Sequence, residues 1–180
     1  MRVGRASLQF AAVAMLSLFI ACATTKFSVT WKDEAYQGHP KKILVVNTFP
    51  NPVNRRIFED ELVKVLKDRG IDAYVSYTMM PNPVLPDENA ILALGKEANT
   101  DTVLVNRPVG IRNEESGGPG GIYYENFFVN TQTDVYDMNL SRVVMTASAE
   151  TWVRQDVPNA TQTYYYVKDL VKKLSQLGLF

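Results

Sequence analysis

From Lys41 onward the hydrophobic positions change period several times, and each change predicts an element. Lys41 to Phe49 (K-K-I-L-V-V-N-T-F) holds a continuous β-branched and apolar run. A run without polar alternation predicts a strand buried on both faces. Pro50-Asn51-Pro52 breaks it. Asn51 or Asn54 can cap a following helix, and Pro52 suits its first position. That helix is predicted to run to about Arg69, with Phe58, Leu62, Val65 and Leu66 on one stripe and Gly70 as its terminator. Asp72 to Thr78 predicts a second strand, and Met79 to Pro86 a proline-rich loop. Asp87 can cap a second helix that turns Ile91, Leu94 and Ala98 to the core, with Asn99 able to end it in the left-handed region. Thr102 to Arg107 predicts a third strand around Val103-Leu104-Val105.

The flanking segments complete the pattern. Thr25 to Glu34 alternates, with Phe27, Val29 and Trp31 on one side, which predicts a half-buried strand or an extended arm. Arg112 to Gly121 (R-N-E-E-S-G-G-P-G-G) predicts a flexible loop. Ile122 to Tyr136 and Arg142 to Arg154 predict a long β-hairpin turning at Asp137 to Ser141. Asn159 can cap a last helix in which Tyr164, Val167, Leu170 or Val171, Leu174 and Leu177 share a face. Leu179-Phe180 is apolar and is expected to pack back on the domain. The order β-α-β-α-β, then a hairpin, then a helix predicts a single α/β domain over residues 41–180. Its sheet is expected to be mixed but mainly parallel, because strand–helix–strand units join parallel neighbours. Residues 22–40 are read as a linker with an edge strand.

The first residues carry a different pattern. Arg2 and Arg5 precede an apolar run from Ala6 to Ala21, which ends in small residues around Cys22. Charge, apolar core and small residues in that order are the pattern of a secretory signal, here residues 1–21. The run is shorter than the roughly 20 apolar residues that span a bilayer, and Thr24-Thr25-Lys26 follows at once. Phe19-Ile20-Ala21-Cys22 resembles the lipobox of bacterial lipoproteins, with Phe19 where leucine is usual. The resemblance implies cleavage between Ala21 and Cys22, acylation of Cys22, and a membrane anchor. Ala23 rather than aspartate after the cysteine implies the periplasmic face of the outer membrane. Ala21-Cys22-Ala23 also fits ordinary cleavage after Ala23, which would release the protein. Cys22 is the only cysteine, so no internal disulfide can form.

Composition narrows the function classes. Hydrophobic residues make up 46% and charged residues 21%, so the chain has enough apolar content for a packed core. Formal net charge is zero, which leaves no basic footprint for nucleic acid. The turn Asn47 to Pro52 has two prolines in place of the glycines and backbone donors that a phosphate loop needs. His39 is the only histidine and lies between Gly38 and Pro40, with no nucleophile elbow anywhere, so neither a triad nor a zinc site is expected. The carboxylate clusters Asp33-Glu34, Glu59-Asp60-Glu61 and Glu114-Glu115 suggest no catalytic pair. The middle one lies beside Arg55, Arg56 and Lys64 and reads as i,i+4 surface pairs, and the last lies in the expected flexible loop. No catalytic residue, cofactor or metal is assigned.

The order of elements after a lipidated cysteine and short linker resembles the TolB amino-terminal-domain-like group of periplasmic lipoproteins. That group includes the curli-secretion lipoprotein and the lipoprotein activators of penicillin-binding proteins. The segments K-K-I-L-V-V, N-R-R-I-F-E-D-E-L-V, D-A-Y-V-S-Y-T, N-T-D-T-V-L-V and L-S-Q-L-G-L-F carry a narrower likeness to exported bacterial lipoproteins. Members of the group work in envelope assembly by binding proteins or by oligomerising. The resemblance therefore implies a protein-binding role, with an envelope protein or a second copy as partner. A small-ligand module is the alternative. A third reading is a pore subunit: Asn130, Gln132 and Asp134 alternate with Val129 and Val135, and Ser148 and Glu150 alternate with Ala147 and Ala149. A sheet with one helix-covered face gives the same alternation. Tyr123, Tyr124, Tyr164, Tyr165 and Tyr166 are the candidate partner surface, since three successive helical tyrosines cannot all face inward.

Acylation at Cys22 is checked by the intact mass of membrane-extracted protein. A lipid-sized increment on a chain beginning at Cys22 is expected, and an unmodified chain beginning at Thr24 would contradict it.

Overall fold

The computed structural model describes residues 25–80, 87–121, 123–155, 157 and 159–180. The expected cleavage and acylation at Ala21 and Cys22, and most of the expected proline-rich loop, lie outside the described residues. Six strands and three α-helices follow the order β1 (Thr25–Lys32), β2 (Lys42–Asn47), α1 (Pro52–Lys67), β3 (Asp72–Val75), α2 (Glu88–Glu97), β4 (Thr102–Gly117), β5 (Tyr123–Asp137), β6 (Arg142–Val153) and α3 (Asn159–Gln176). The strands form one sheet in the order β1-β6-β5-β4-β2-β3.

Only β2 with β3 and β2 with β4 are parallel. The pairs β1–β6, β4–β5 and β5–β6 are antiparallel. The expectation of a mainly parallel sheet is therefore corrected: the parallel part is a three-strand core and the rest is antiparallel. The hairpin joins the same sheet beside β4, antiparallel from Thr102 opposite Asp137, and β1 adds a further antiparallel pair. Arg112 to Gly117 is not a flexible loop but the outer half of β4, paired with β5 as far as Gly117 opposite Tyr123. Cross-strand pairing overrides the weak strand propensity of this glycine-rich stretch.

The two sheet faces carry different helices. Phe58, Leu62 and Leu66 of α1 and Val167, Leu170, Val171 and Leu174 of α3 pack on Ile43, Val45, Leu104, Val135, Met145, Ala147 and Ala149. Leu179 is sealed into the same cluster, and Phe180 packs against it. On the other face Ile91 of α2 packs on Leu44, Val46, Val103, Val105 and Tyr136. Gly95 lets α2 approach closely, since a Cβ there would stand 2.5 Å from Met138 Sδ and 2.7 Å from Val103. Both helix starts are capped as expected. Asn51 Oδ1 accepts from the N–H of Val53 (2.9 Å) and Asn54 (3.1 Å), and Asp87 Oδ1 accepts from Ala90 (2.8 Å). Gly70 ends α1 at φ +79° and Asn99 follows α2 at φ 50°.

A bulge between Phe27 and Val29 breaks the alternation expected of β1. Phe27 opposes Ala149 and packs on the core, whereas Trp31 opposes Thr146, on the other face, and is half-exposed.

The helical carboxylate cluster is also corrected. Arg55 and Glu59 are an i,i+4 pair, but both are buried rather than on the surface. Glu59 Oε1 accepts from Arg55 Nε (3.0 Å), Ser76 Oγ (3.0 Å) and the Asn47 N–H (3.0 Å). Its Oε2 accepts from the N–H of Ser76 (2.6 Å) and Tyr77 (3.1 Å). Arg55 Nη2 donates to Ser76 Oγ at 2.9 Å. One side chain thus ties α1 to the ends of β2 and β3. Removing one member of a buried ion pair strands the other, at a cost of about 3–5 kcal/mol. Glu59→Ala is expected to lower the unfolding free energy by that amount in urea denaturation, and a loss below about 1 kcal/mol, the range of surface pairs, would contradict the assignment.

Candidate functional site

The parallel core sets the geometry. β2 hands the chain to α1 and β3 on one side, while β4 lies on its other side. The strands' carboxyl ends therefore face a point where the connections diverge, and a crevice opens at such a point in an open α/β sheet. Asn47 and Asn106 end the β2–β4 ladder side by side in register. Both are fully buried polar residues at the end of apolar runs.

Above them lies a cleft of about 170 Å³. The first turns of α1 and α3 form two of its walls, and β5 and β6 form its floor. Phe49, Phe58, Val129, Val153 and the Tyr166 ring supply apolar surface. Asn47, Asn54, Asn159, Gln162 and three threonines supply polar groups, and among the described residues no Lys, Arg, Asp, Glu or His lines it. Much of this polarity is already engaged. Tyr166 Oη bonds with Thr131 Oγ1 (2.8 Å) and donates to Asn106 Oδ1 (2.9 Å). Gln162 holds the Arg154 backbone through Oε1 (2.8 Å) and Nε2 (2.9 Å). Asn47 Oδ1 accepts from the Phe49 N–H (3.3 Å), while its Nδ2 is buried without a partner.

The five tyrosines take three different places. Tyr166 is inside, 7% exposed, and belongs to the cleft and core. Tyr164 (38%) and Tyr165 (55%) are on the surface of α3, their rings 5.4 Å apart edge to face. Tyr123 (75%) and Tyr124 (54%) are at the tip of the β4–β5 arm, opposite Gly117 and Ser116. At roughly 3.4 Å per strand residue, Tyr123 stands about 20 Å beyond Val129 at the cleft. The arm tyrosines and the helix tyrosines are therefore two separate places on the molecule.

The apolar side of the β5–β6 hairpin from Val135 and Met145 to Ala149 is buried by α1 and α3, as a sheet with one helix-covered face requires. Its polar side carries an ordered charge network on the opposite face. Asp134 accepts from Thr146 Oγ1 (2.7 Å) and Gln132 Nε2 (3.0 Å) and pairs with Arg107. Farther out, Arg112 pairs with Glu150 (3.0 Å) and Glu114 (2.9 Å), and its guanidinium lies 4.1 Å from the Phe128 ring centre. Hydrogen bonding to Arg112 holds the Glu150 carboxyl below its ordinary range. Glu114 is thus held on a strand, not in a loop. His39 is exposed in the turn before β2. No helix among the described residues is long and apolar enough to cross a membrane.

The cleft escaped sequence reasoning, which tested the turn after β2 for phosphate alone. The available signal was the placing of Asn47 directly after an apolar run, and of Thr131 and Thr133 on the apolar side of β5.

No protein-family model matches the sequence, and no curated protein matches it. The fold is similar to that of solved bacterial proteins, one of them described as a lipoprotein. A PelC dodecamer from Paraburkholderia phytofirmans superposes with a TM-score of 0.53 at 16% identity, covering 83% of this chain and 96% of that one. Lipoprotein GNA1162 from Neisseria meningitidis superposes with a TM-score of 0.50 at 14% identity, covering 76% and 99%.

Burial raises the Tyr166 and Tyr136 phenols above their ordinary value, and burial together with the nearby Asp137 charge pushes Tyr36 up to about 12. The folded chain then keeps protons that the unfolded chain loses near pH 10. Stability is complete below about pH 10 and falls as pH climbs through the folded values. Urea midpoints measured from pH 8 to 12 are expected to drop above pH 10, with a shallower drop in Tyr36→Phe. A flat profile would contradict the burial of these phenols.

Proposed function

We propose that the protein is an envelope lipoprotein, anchored through Cys22, whose domain is a protein-interaction and assembly module rather than an enzyme. The single observation that carries this reading is the β4–β5 arm. The β2 ladder ends at Asn106, so from Pro108 to Gly117 β4 is paired only on its β5 side. Unpaired strand edges are templates for another chain. This one also presents Val109, Ile111, Tyr123 and Tyr124 to solvent. An exposed edge with large apolar and tyrosine side chains is suited to an interface.

The partner most consistent with this surface is a second copy. β1 at the far side of the sheet is likewise paired only on one side, with β6. β3 at the opposite end of the sheet is open as well, and different open edges on one molecule favour head-to-tail contacts, which form rings where the rotation closes. The description of the PelC neighbour as a dodecamer supports this direction. The lipoprotein name of the GNA1162 neighbour and the lipobox resemblance at Cys22 support an envelope location, with the periplasmic face of the outer membrane as the preferred site.

Light scattering on the purified full-length protein tests the reading. The protein is expected to run as a discrete oligomer, and Ile111→Asp with Tyr123→Ser is expected to shift it to monomer while leaving the thermal midpoint within a few degrees. A wild-type protein that stays monomeric at high concentration, or an oligomer indifferent to both substitutions, would count against it.

A further inference from the structure

The cleft above Asn47 and the arm are independent features, and the cleft has a chemistry of its own. Its walls are two phenylalanines, two valines and the face of Tyr166. Among the described residues its polar lining is amide and hydroxyl only, with no ionic side chain. An ionic ligand entering it would lose water and meet no opposite charge, which is strongly unfavourable. A neutral ligand with an apolar body gains contact with the walls and loses little.

The position of Asn47 adds a specific requirement. Asn47 is fully buried, its Oδ1 is held by the Phe49 N–H, and its Nδ2 has no partner. Buried amide donors are almost always satisfied, and an orphan one in a cleft wall calls for an acceptor. Of the hydroxyls that line the cleft, Thr131 and Tyr166 are bonded to one another and Thr151 to Thr25 at 3.1 Å, while Oγ1 of the neighbouring Thr48 is buried and, like Asn47 Nδ2, has no partner. The site is also braced from below. Glu59 accepts from the Asn47 backbone N–H, so the buried Arg55–Glu59–Ser76 network holds this residue in place.

We propose that this cleft is a binding site for a small uncharged ligand with an apolar body and one carbonyl or hydroxyl oxygen, the oxygen accepting from Asn47 Nδ2 once that fully buried side chain turns toward the cleft. The apolar body lies between Phe49, Phe58 and Val129, beside the first turn of α3. The cleft volume of about 170 Å³ suits a single ring or branched aliphatic group with an amide. The position matches the general rule that open α/β sheets take ligands beyond the carboxyl ends of their parallel strands.

The test uses N-benzylacetamide as probe, with phenylacetate and benzylammonium as charged probes of similar size. Methyl and side-chain amide NMR spectra are recorded on the membrane-extracted full protein in nanodiscs. N-benzylacetamide is expected to bind saturably with a roughly millimolar dissociation constant, as suits a fragment of this size. It should shift the Asn47 NH₂ and the Val129 and Val153 methyl signals, and the charged probes should not. Asn47→Ala should weaken binding about three- to tenfold, the worth of one neutral hydrogen bond. Thr163→Trp, a plug at a half-exposed position on α3, should abolish the shifts, and it keeps the test decisive if Asn47→Ala does not fold. Absence of saturable shifts, shifts that survive Thr163→Trp, or equal binding of the charged probes would overturn the proposal.

Discussion

The fold depends on the buried carboxylate of Glu59. It accepts five hydrogen bonds, from the Arg55 and Ser76 side chains and from the backbone of Asn47, Ser76 and Tyr77. Two of those backbone donors lie just past the last paired residue of β3, and the third ends β2. The Ser76 N–H also reaches Val45 O at 3.0 Å, and a buried backbone donor left unsatisfied is costly. By satisfying them, Glu59 fixes where β2 and β3 stop and how α1 lies over them. Everything at the carboxyl end of the parallel core follows from that placing, including the side-by-side asparagines, the cleft, and the seat of Tyr166 between Asn106 and Thr131.

Beyond that end, the molecule changes character. The parallel strands stop at Asn47 and Val75, while β4 continues past its partner and drags β5 with it. The same sheet is thus a covered α/β core at one end and a bare two-stranded arm at the other. The core end is closed by α1, α2 and α3. The arm has an open edge and exposed aromatic side chains. In this account the first holds the shape and the second meets the partner.

Much of this was legible in the sequence, and the failures have physical reasons. The unbroken run Ile43 to Val46, the Asn51 and Asp87 caps, Gly70 and Asn99 are local signals, and each sits where expected. The β5–β6 hairpin and its turn were legible from period-2 alternation. Three features were not. The pair Arg55 and Glu59 has the same spacing in a surface helix as in a buried one, and only the strand ends beneath it decide. Arg112 to Gly117 has loop-like composition and becomes a strand through pairing with Tyr123 to Phe128. The bulge after Phe27 moves Trp31 to the opposite face, and nothing in a regular alternation announces a bulge. The parallel bias came from reading β4 as ending at Arg107, which hid its long antiparallel partnership.

The most direct measurement is cross-linking in intact cells, followed by membrane extraction and mass spectrometry of the linked peptides. The expected result is a membrane-held species whose links join the β4–β5 arm of one copy to the β1 edge of another. Only unlinked monomer, with the arm residues attached neither to a second copy nor to another envelope protein, would contradict an assembly role.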